Sequence, residues 1–121
     1  MSAPWVVHKF GGTSLADAHC YRAAAEIVLS HGSGERTAVV VSAMSGVTNA
    51  LIHSVELAVS QDPSYLDKLQ DLKSRHLETV SGMQLDDALN QSLNRVTAIR
   101  FVMFKTVLNF RGMSIGDAQD D

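Results

Sequence analysis

Two polar segments carry residue types suited to holding phosphate and small charged molecules. The first runs from Lys9 through Phe10, Gly11, Gly12 and Thr13 to Ser14. Bound phosphate needs close backbone approach, N–H donors and a compensating positive charge. The two glycines permit the approach, because no Cβ stands in the way. A helix starting just beyond them, near Leu15, would add free N–H groups and its positive dipole end. Lys9 adds a point charge. The lysine precedes the glycines, so this is not a P-loop, where it follows them. The structural alternative is a tight turn with Ser14 as a helix cap and a solvated lysine.

The second segment runs from Ser42 to Asn49 and reads SAMSGVTN. The hydroxyls of Ser42, Ser45 and Thr48 and the amide of Asn49 can hold a carboxylate or an ammonium group without adding net charge. The same groups also suit helix capping and turn hydrogen bonds.

Both segments need elements to position them. Trp5–Phe10 is short and mostly apolar, and the glycines close it, which predicts a strand ending in a sharp turn. Ser14 stands three residues before Asp17, a capping-box spacing for the next helix. Along that helix His19, Arg22, Glu26 and Ser30 form a polar stripe, opposite Cys20, Ala24 and Ile27. Glycines 32 and 34 stop it. Thr37–Ser42 is β-branched and suits a strand covered on both faces of a parallel sheet. Ser45 and Gly46 turn the chain into a helix from near Val47, with Leu51, Val55 and Val59 repeating along it. Asp62 and Pro63 read as a cap and a first-turn proline of the next helix.

Residues 5–60 therefore spell β-α-β-α, with the right-handed crossover usual between parallel strands. Such a unit places both polar segments at the C-terminal ends of neighbouring strands, where open α/β sheets bind ligands. The second half differs. Leu66, Leu69, Leu72, Leu77 and Val80 predict one helix, broken at Ser81 and Gly82. Leu85, Leu89, Leu93, Val96, Ile99 and Met103 predict another amphipathic helix, ended at Arg111 and Gly112. The fold class is α/β, with a helical hairpin laid against the sheet layer. Residues 113–121 read as a short acidic tail that frays.

Composition bounds the function. The chain has 121 residues, one domain at most, with 45% apolar and 19% charged residues. Ten basic residues against thirteen acidic give −3, which argues against bulk binding to nucleic acid or to an acidic membrane. No apolar run approaches the ~20 residues of a membrane span, and no signal peptide is visible. A single cysteine, Cys20, excludes an intrachain disulfide and a Cys-rich zinc site, and fits a reducing cytoplasm. His8, His19, His31, His53 and His76 fall on different elements, so no metal site is expected. Arg95, Arg100, Lys105 and Arg111, interleaved with Phe101, Phe104 and Phe110, read as a half-solvated helix rather than an RNA surface.

The run from Lys9 to Ser14, followed by Val39–Asn49 (VVVSAMSGVTN), resembles the opening of aspartate kinases, in the amino acid kinase family. Lysine followed by two glycines is common to that family. The full KFGGTS run joined to Ser-Ala-x-x-Gly-Val-Thr-Asn is far more specific to aspartate kinases. The likeness is strong from about Val6 to Leu51 and continues to about Asn94.

The resemblance implies the N-terminal βαβα part of an amino acid kinase-like parallel-sheet fold, with residues 1–121 a partial catalytic domain. It implies transfer of the ATP γ-phosphoryl group to the side-chain carboxylate of L-aspartate, giving 4-phospho-L-aspartate for lysine, threonine and methionine biosynthesis. Lys9 would act catalytically on the transferring phosphate. Lys9, Gly11, Gly12 and Ser14 would bind the nucleotide, with Mg2+ carried on ATP, and Ser42 and Thr48 would hold aspartate. Aspartate kinases also have a Gly-Glu motif after the hairpin, which is absent here, as Phe110–Ile115 carries no glutamate. They have further strands forming the adenine pocket and, in most cases, regulatory domains. The chain thus looks like the N-terminal piece of such an enzyme, inactive by itself and compatible with a homo-oligomer in the full-length protein. The alternatives are another amino acid kinase, acting on glutamate, carbamate or a nucleotide monophosphate, and a non-catalytic helical interaction module built on Leu85–Met103.

Overall fold

The computed structural model describes residues 4–31 and 34–119, with side chains described through Leu108. The chain divides into two units, Met1–Gly46 and Val47–Asp121.

The first unit holds strand β1 (Trp5–Phe10), a single 3-10 turn (Gly12–Leu15), helix α1 (Ala18–Ser30) and strand β2 (Arg36–Val41). The strands pair in parallel, in register from Trp5 opposite Arg36 to Phe10 opposite Val41. Strand alternation turns Val6, His8 and Phe10 inward. Phe10, Leu15 and Ala24 form the core, and Tyr21 and Val28 of α1 pack against it.

Helix α1 begins later than the spacing predicts. Its cap is Asp17, whose carboxylate accepts the Cys20 N–H at 2.9 Å. Ser14 lies in the 3-10 turn instead, and its N–H donates to the Gly11 carbonyl at 3.1 Å. The turn buries Leu15, which is 1% exposed, and that anchoring sets the helix rotation. The packed stripe is consequently Tyr21, Ala24 and Val28. Ile27 is exposed, and Cys20 is half-buried with its thiol directed to the Thr13 carbonyl at 4.0 Å.

Strand β2 is also a correction. Its β-branched run forms the strand as expected, but Val39, Val40 and Val41 are exposed. Among the described residues of this unit α1 is the one helix packed on the strands, so the run is not covered on both faces.

The second unit is three mutually packed helices, α2 (Val47–Val59), α3 (Tyr65–Gly82) and α4 (Asp87–Gln119). The hairpin of α3 and α4 thus takes α2 as a third member. On α2 the buried residues are Val47, Ser54 and Ala58, while Val55 is exposed. Small Ser54 and Ala58 let the neighbouring helices approach closely. The buried Ser54 hydroxyl stays satisfied by donating to the Ala50 carbonyl at 2.9 Å. Pro63 precedes α3 rather than entering its first turn, because the Asp62 carboxylate accepts the Ser64 N–H at 2.9 Å and Ser64 is the cap. Helix α3 runs through Ser81 and Gly82 and is stopped at Gln84, which adopts a left-handed φ of 57°.

Helix α4 is rotated from the expected orientation. Its inward face is Leu93, Thr97, Phe101, Phe104 and Leu108, while Leu89, Val96, Ile99 and Met103 are exposed. Aromatic side chains bury about 150–250 Å² each, so seating two phenylalanines outweighs seating the aliphatic stripe. Phe101 meets the His76 ring edge-on at 5.4 Å. The helix also passes through Arg111 and Gly112, its expected end, to Gln119. A helical glycine costs only about 1 kcal/mol. Residues 113–119 of the expected tail thus continue α4, while residues 120–121 and the side chains from 109 lie outside the described residues.

The rotation of α4 is testable by stability measurements. Leu108→Ala is expected to cost about 2–5 kcal/mol, and Met103→Ala less than about 0.5 kcal/mol, in urea unfolding. The reverse order would place the aliphatic stripe inside. The hydrogen bond from the Cys20 N–H holds the Asp17 carboxyl below its ordinary value. Its cap is therefore complete above about pH 4, the unfolded value, and lost as pH falls through the lower folded value. Hydrogen exchange at the Cys20 amide is expected to accelerate over that acidic window, and to be insensitive to it in Asp17→Asn.

Candidate functional site

The parallel register brings the first polar segment beside the start of the second, Ser42–Ser45, within the first unit. The strands end level, and the ladder gains one more bond where the Ser42 N–H donates to the Phe10 carbonyl at 3.0 Å. The chain leaving β1 then presses against the chain leaving β2. A Cβ added to Gly12 would lie 3.2 Å from the Ala43 carbonyl oxygen and 3.5 Å from the Ser45 Cα. Gly12 is thus a packing glycine: its missing side chain makes room for the second loop. Gly11 differs, because a Cβ there meets nothing within 4 Å. The open side of the turn lies at Gly11. Gly46 turns the second loop with a φ of 80°, a conformation that favours glycine.

Within the first unit, Lys9 is exposed, pairs with Val40, and lies by alternation on the face away from Phe10. Ser14 is exposed in the 3-10 turn, and Ser42 is exposed just beyond β2. Met44 is buried and anchors its loop. Thr48 and Asn49 stand exposed in the first turn of α2, in the second unit. Lys9 is the only charged residue of the two segments. The expected contribution of the α1 dipole is altered, because the helix starts at Ala18 and its end is taken by the Asp17 carboxylate. With the Cys20 N–H taken by Asp17 and the Ser14 N–H by the Gly11 carbonyl, the turn at residues 11–13 is a further source of N–H groups for an anion.

Two features escape sequence reasoning. The contact of Gly12 with Ala43 and Ser45 has no local signature, since it joins segments held together only by strand pairing. The fold also brings His8 and His31 into edge-on contact, with ring centroids 4.6 Å apart. His8 Nε2 is buried without a hydrogen-bond partner among the described residues. The signal was strand alternation, which sets His8 on the same face as Phe10. Among the described residues no group of three or more His, Cys, Asp or Glu gathers.

A β-α-β unit with polar loops joined at the C-terminal strand ends is the layout of open α/β ligand-binding domains. The amino acid kinase family model matches residues 4–110, and the protein belongs to that family. It is 38% identical over 92 residues to the chloroplastic bifunctional aspartokinase/homoserine dehydrogenase 2 of Arabidopsis thaliana, a match covering 76% of this chain and 10% of that protein. It is 34% identical over 86 residues to the chloroplastic aspartokinase 1 of the same plant, covering 69% of this chain and 15% of the relative. The lysine-sensitive aspartokinase 3 of Escherichia coli (strain K12) is 33% identical over 92 residues, covering 75% and 19%. The resemblance to aspartate kinases read from the two loops is borne out by these relatives. The chain spans between 10% and 19% of their lengths. Among the described residues no helix is long and apolar enough to cross a membrane.

The two glycines separate by substitution. Gly12→Ala is expected to cost about 1–3 kcal/mol, because the Ala43 carbonyl must shift. Gly11→Ala is expected to leave thermal stability unchanged or slightly raised, since its space is open and the unfolded chain loses freedom. Equal losses in both variants would contradict the loop contact.

Proposed function

We propose that the chain is the N-terminal part of an aspartate kinase, with its phosphoryl-transfer site built around the two strand-end loops. The contact of Gly12 with Ala43 and Ser45 carries this reading, because it puts an anion-binding turn beside a hydroxyl-bearing loop. ATP would supply the phosphoryl group, with Mg2+ carried on the nucleotide to offset its charge. Lys9 neutralises charge on the transferring group, and Gly11 and Gly12 offer backbone N–H groups beside the open side of the turn. The Ser14 hydroxyl borders the same turn. Ser42 and Thr48 hydrogen-bond L-aspartate.

This sparse set suits the reaction. The acceptor is a carboxylate, already ionised near neutral pH, so no general base is required. The obstacle is repulsion between that carboxylate and the phosphate. Positioning and positive charge therefore do most of the catalysis, which makes Lys9 the central residue. The product, 4-phospho-L-aspartate, would feed lysine, threonine and methionine biosynthesis in the cytoplasm. The uncovered Val39, Val40 and Val41 of β2 support the view that further strands complete an active domain. The chain by itself would then be inactive.

With ATP, Mg2+, L-aspartate and hydroxylamine, the 121-residue chain is expected to yield no aspartyl hydroxamate, and robust turnover would overturn the inactivity. In a complete enzyme carrying this N-terminus, Lys9→Ala is expected to lower kcat roughly 100-fold or more. Thr48→Val is expected to raise the KM for aspartate roughly tenfold with kcat little changed. An unchanged rate in the lysine variant would remove its assigned role. Hydroxamate formation from glutamate but not aspartate would reassign the acceptor.

A further inference from the structure

A cleft of about 270 Å³ opens between α3 and α4, wholly within the helical unit. Its apolar lining comes from Leu66 and Leu69 on α3 and from Phe101 and Val102 on α4. Leu69 is buried, and the edge contact with His76 fixes the Phe101 ring. His76 is itself tethered, its Nδ1–H donating to the Leu72 carbonyl at 2.7 Å. The walls are therefore set before any ligand arrives. Leu66 and Val102 leave apolar surface open to water.

The polar lining is one-sided. Lys73 enters from α3 and Lys105 from α4, with the Gln70 amide beside them, and among the described residues no carboxylate lines the cleft. Helix α4 has no acidic residue from Ala88 to Gly116. Among the described residues neither lysine has an ion-pair partner. Two cations from different helices thus border one apolar hollow without neutralisation. An anion placed there gains charge-assisted hydrogen bonds from either lysine.

We propose that this cleft binds a small organic carboxylate with a compact apolar body, a single aryl ring or a branched alkyl group. The volume is below that of most drug-sized pockets, which start at about 300 Å³, and this sets the size limit. Free α-amino acids are disfavoured, because their ammonium group would meet the two lysines. The site is separate from the strand-end loops and does not rest on their assignment.

The test is an NMR titration of the ¹⁵N-labelled full chain with 3-phenylpropionate. Saturable shifts are expected at the amides of Gln70, Lys73, Phe101 and Lys105. The neutral isostere 3-phenylpropanamide, the zwitterion L-phenylalanine and the bodiless anion acetate are each expected to bind at least about tenfold more weakly. Lys105→Glu and Lys73→Glu are expected to weaken 3-phenylpropionate by a similar factor, with far-UV circular dichroism unchanged. Should either variant lose helicity, the salt dependence of the unaltered chain gives the same reading, since affinity must fall as NaCl rises. Equal binding of the amide would reduce the cleft to an apolar patch. Equal binding of acetate would reduce it to an unspecific cation pair. No saturation by about 10 mM, weaker than a small contact of this kind supports, would also overturn the proposal.

Discussion

The contact of the Gly12 backbone with the Ala43 carbonyl and Ser45 is the constraint on which the strand-end site depends. It exists because the two parallel strands finish in register, and because the Ser42 N–H extends the ladder to the Phe10 carbonyl. A slip of one residue would turn Phe10 away from Leu15 and Ala24 and would pull the loops apart. The core and the site are therefore consequences of the same pairing. Packing of Tyr21 and Val28 on that core holds α1 across the strands and fixes the length of the crossover.

The site is electrostatically economical. Helix α1 does not aim a bare N-terminus at the loops, since Asp17 closes it with its own carboxylate. What remains is one lysine, a turn with an open side at Gly11, and uncharged hydroxyls. On the proposed reading this set would position two anions and reduce the repulsion between them, which phosphoryl transfer to a carboxylate requires.

The helical unit is organised by the sizes of its side chains. Ser54 and Ala58 allow three helices to meet, and the two phenylalanines of α4 choose which of its apolar faces turns inward. Helix α4 is apolar on two sides, so periodicity alone could not decide between them. The seated face includes Phe101, which lines one cleft together with Lys73 of α3 and Lys105 of α4.

Much of this was legible in the residues. Strand β1 follows from its apolar run and closing glycines, and α2 from its position after Gly46. The α/β class follows from the alternation of elements, and the family from the two loops. Capping differs at both helix starts: Asp17, not Ser14, accepts the first free N–H of α1, and the Asp62 carboxylate accepts the Ser64 N–H, so α3 starts after Pro63 with Ser64 as its cap. The sequence by itself determined which residues could bind phosphate and a small acceptor, since type and local spacing set that chemistry. Only the tertiary structure decided that Gly12 serves packing while Gly11 stays open, that β2 lies uncovered, and which face of α4 is buried. Those outcomes depend on contacts between segments distant along the chain, where size and register compete and no local pattern records the winner.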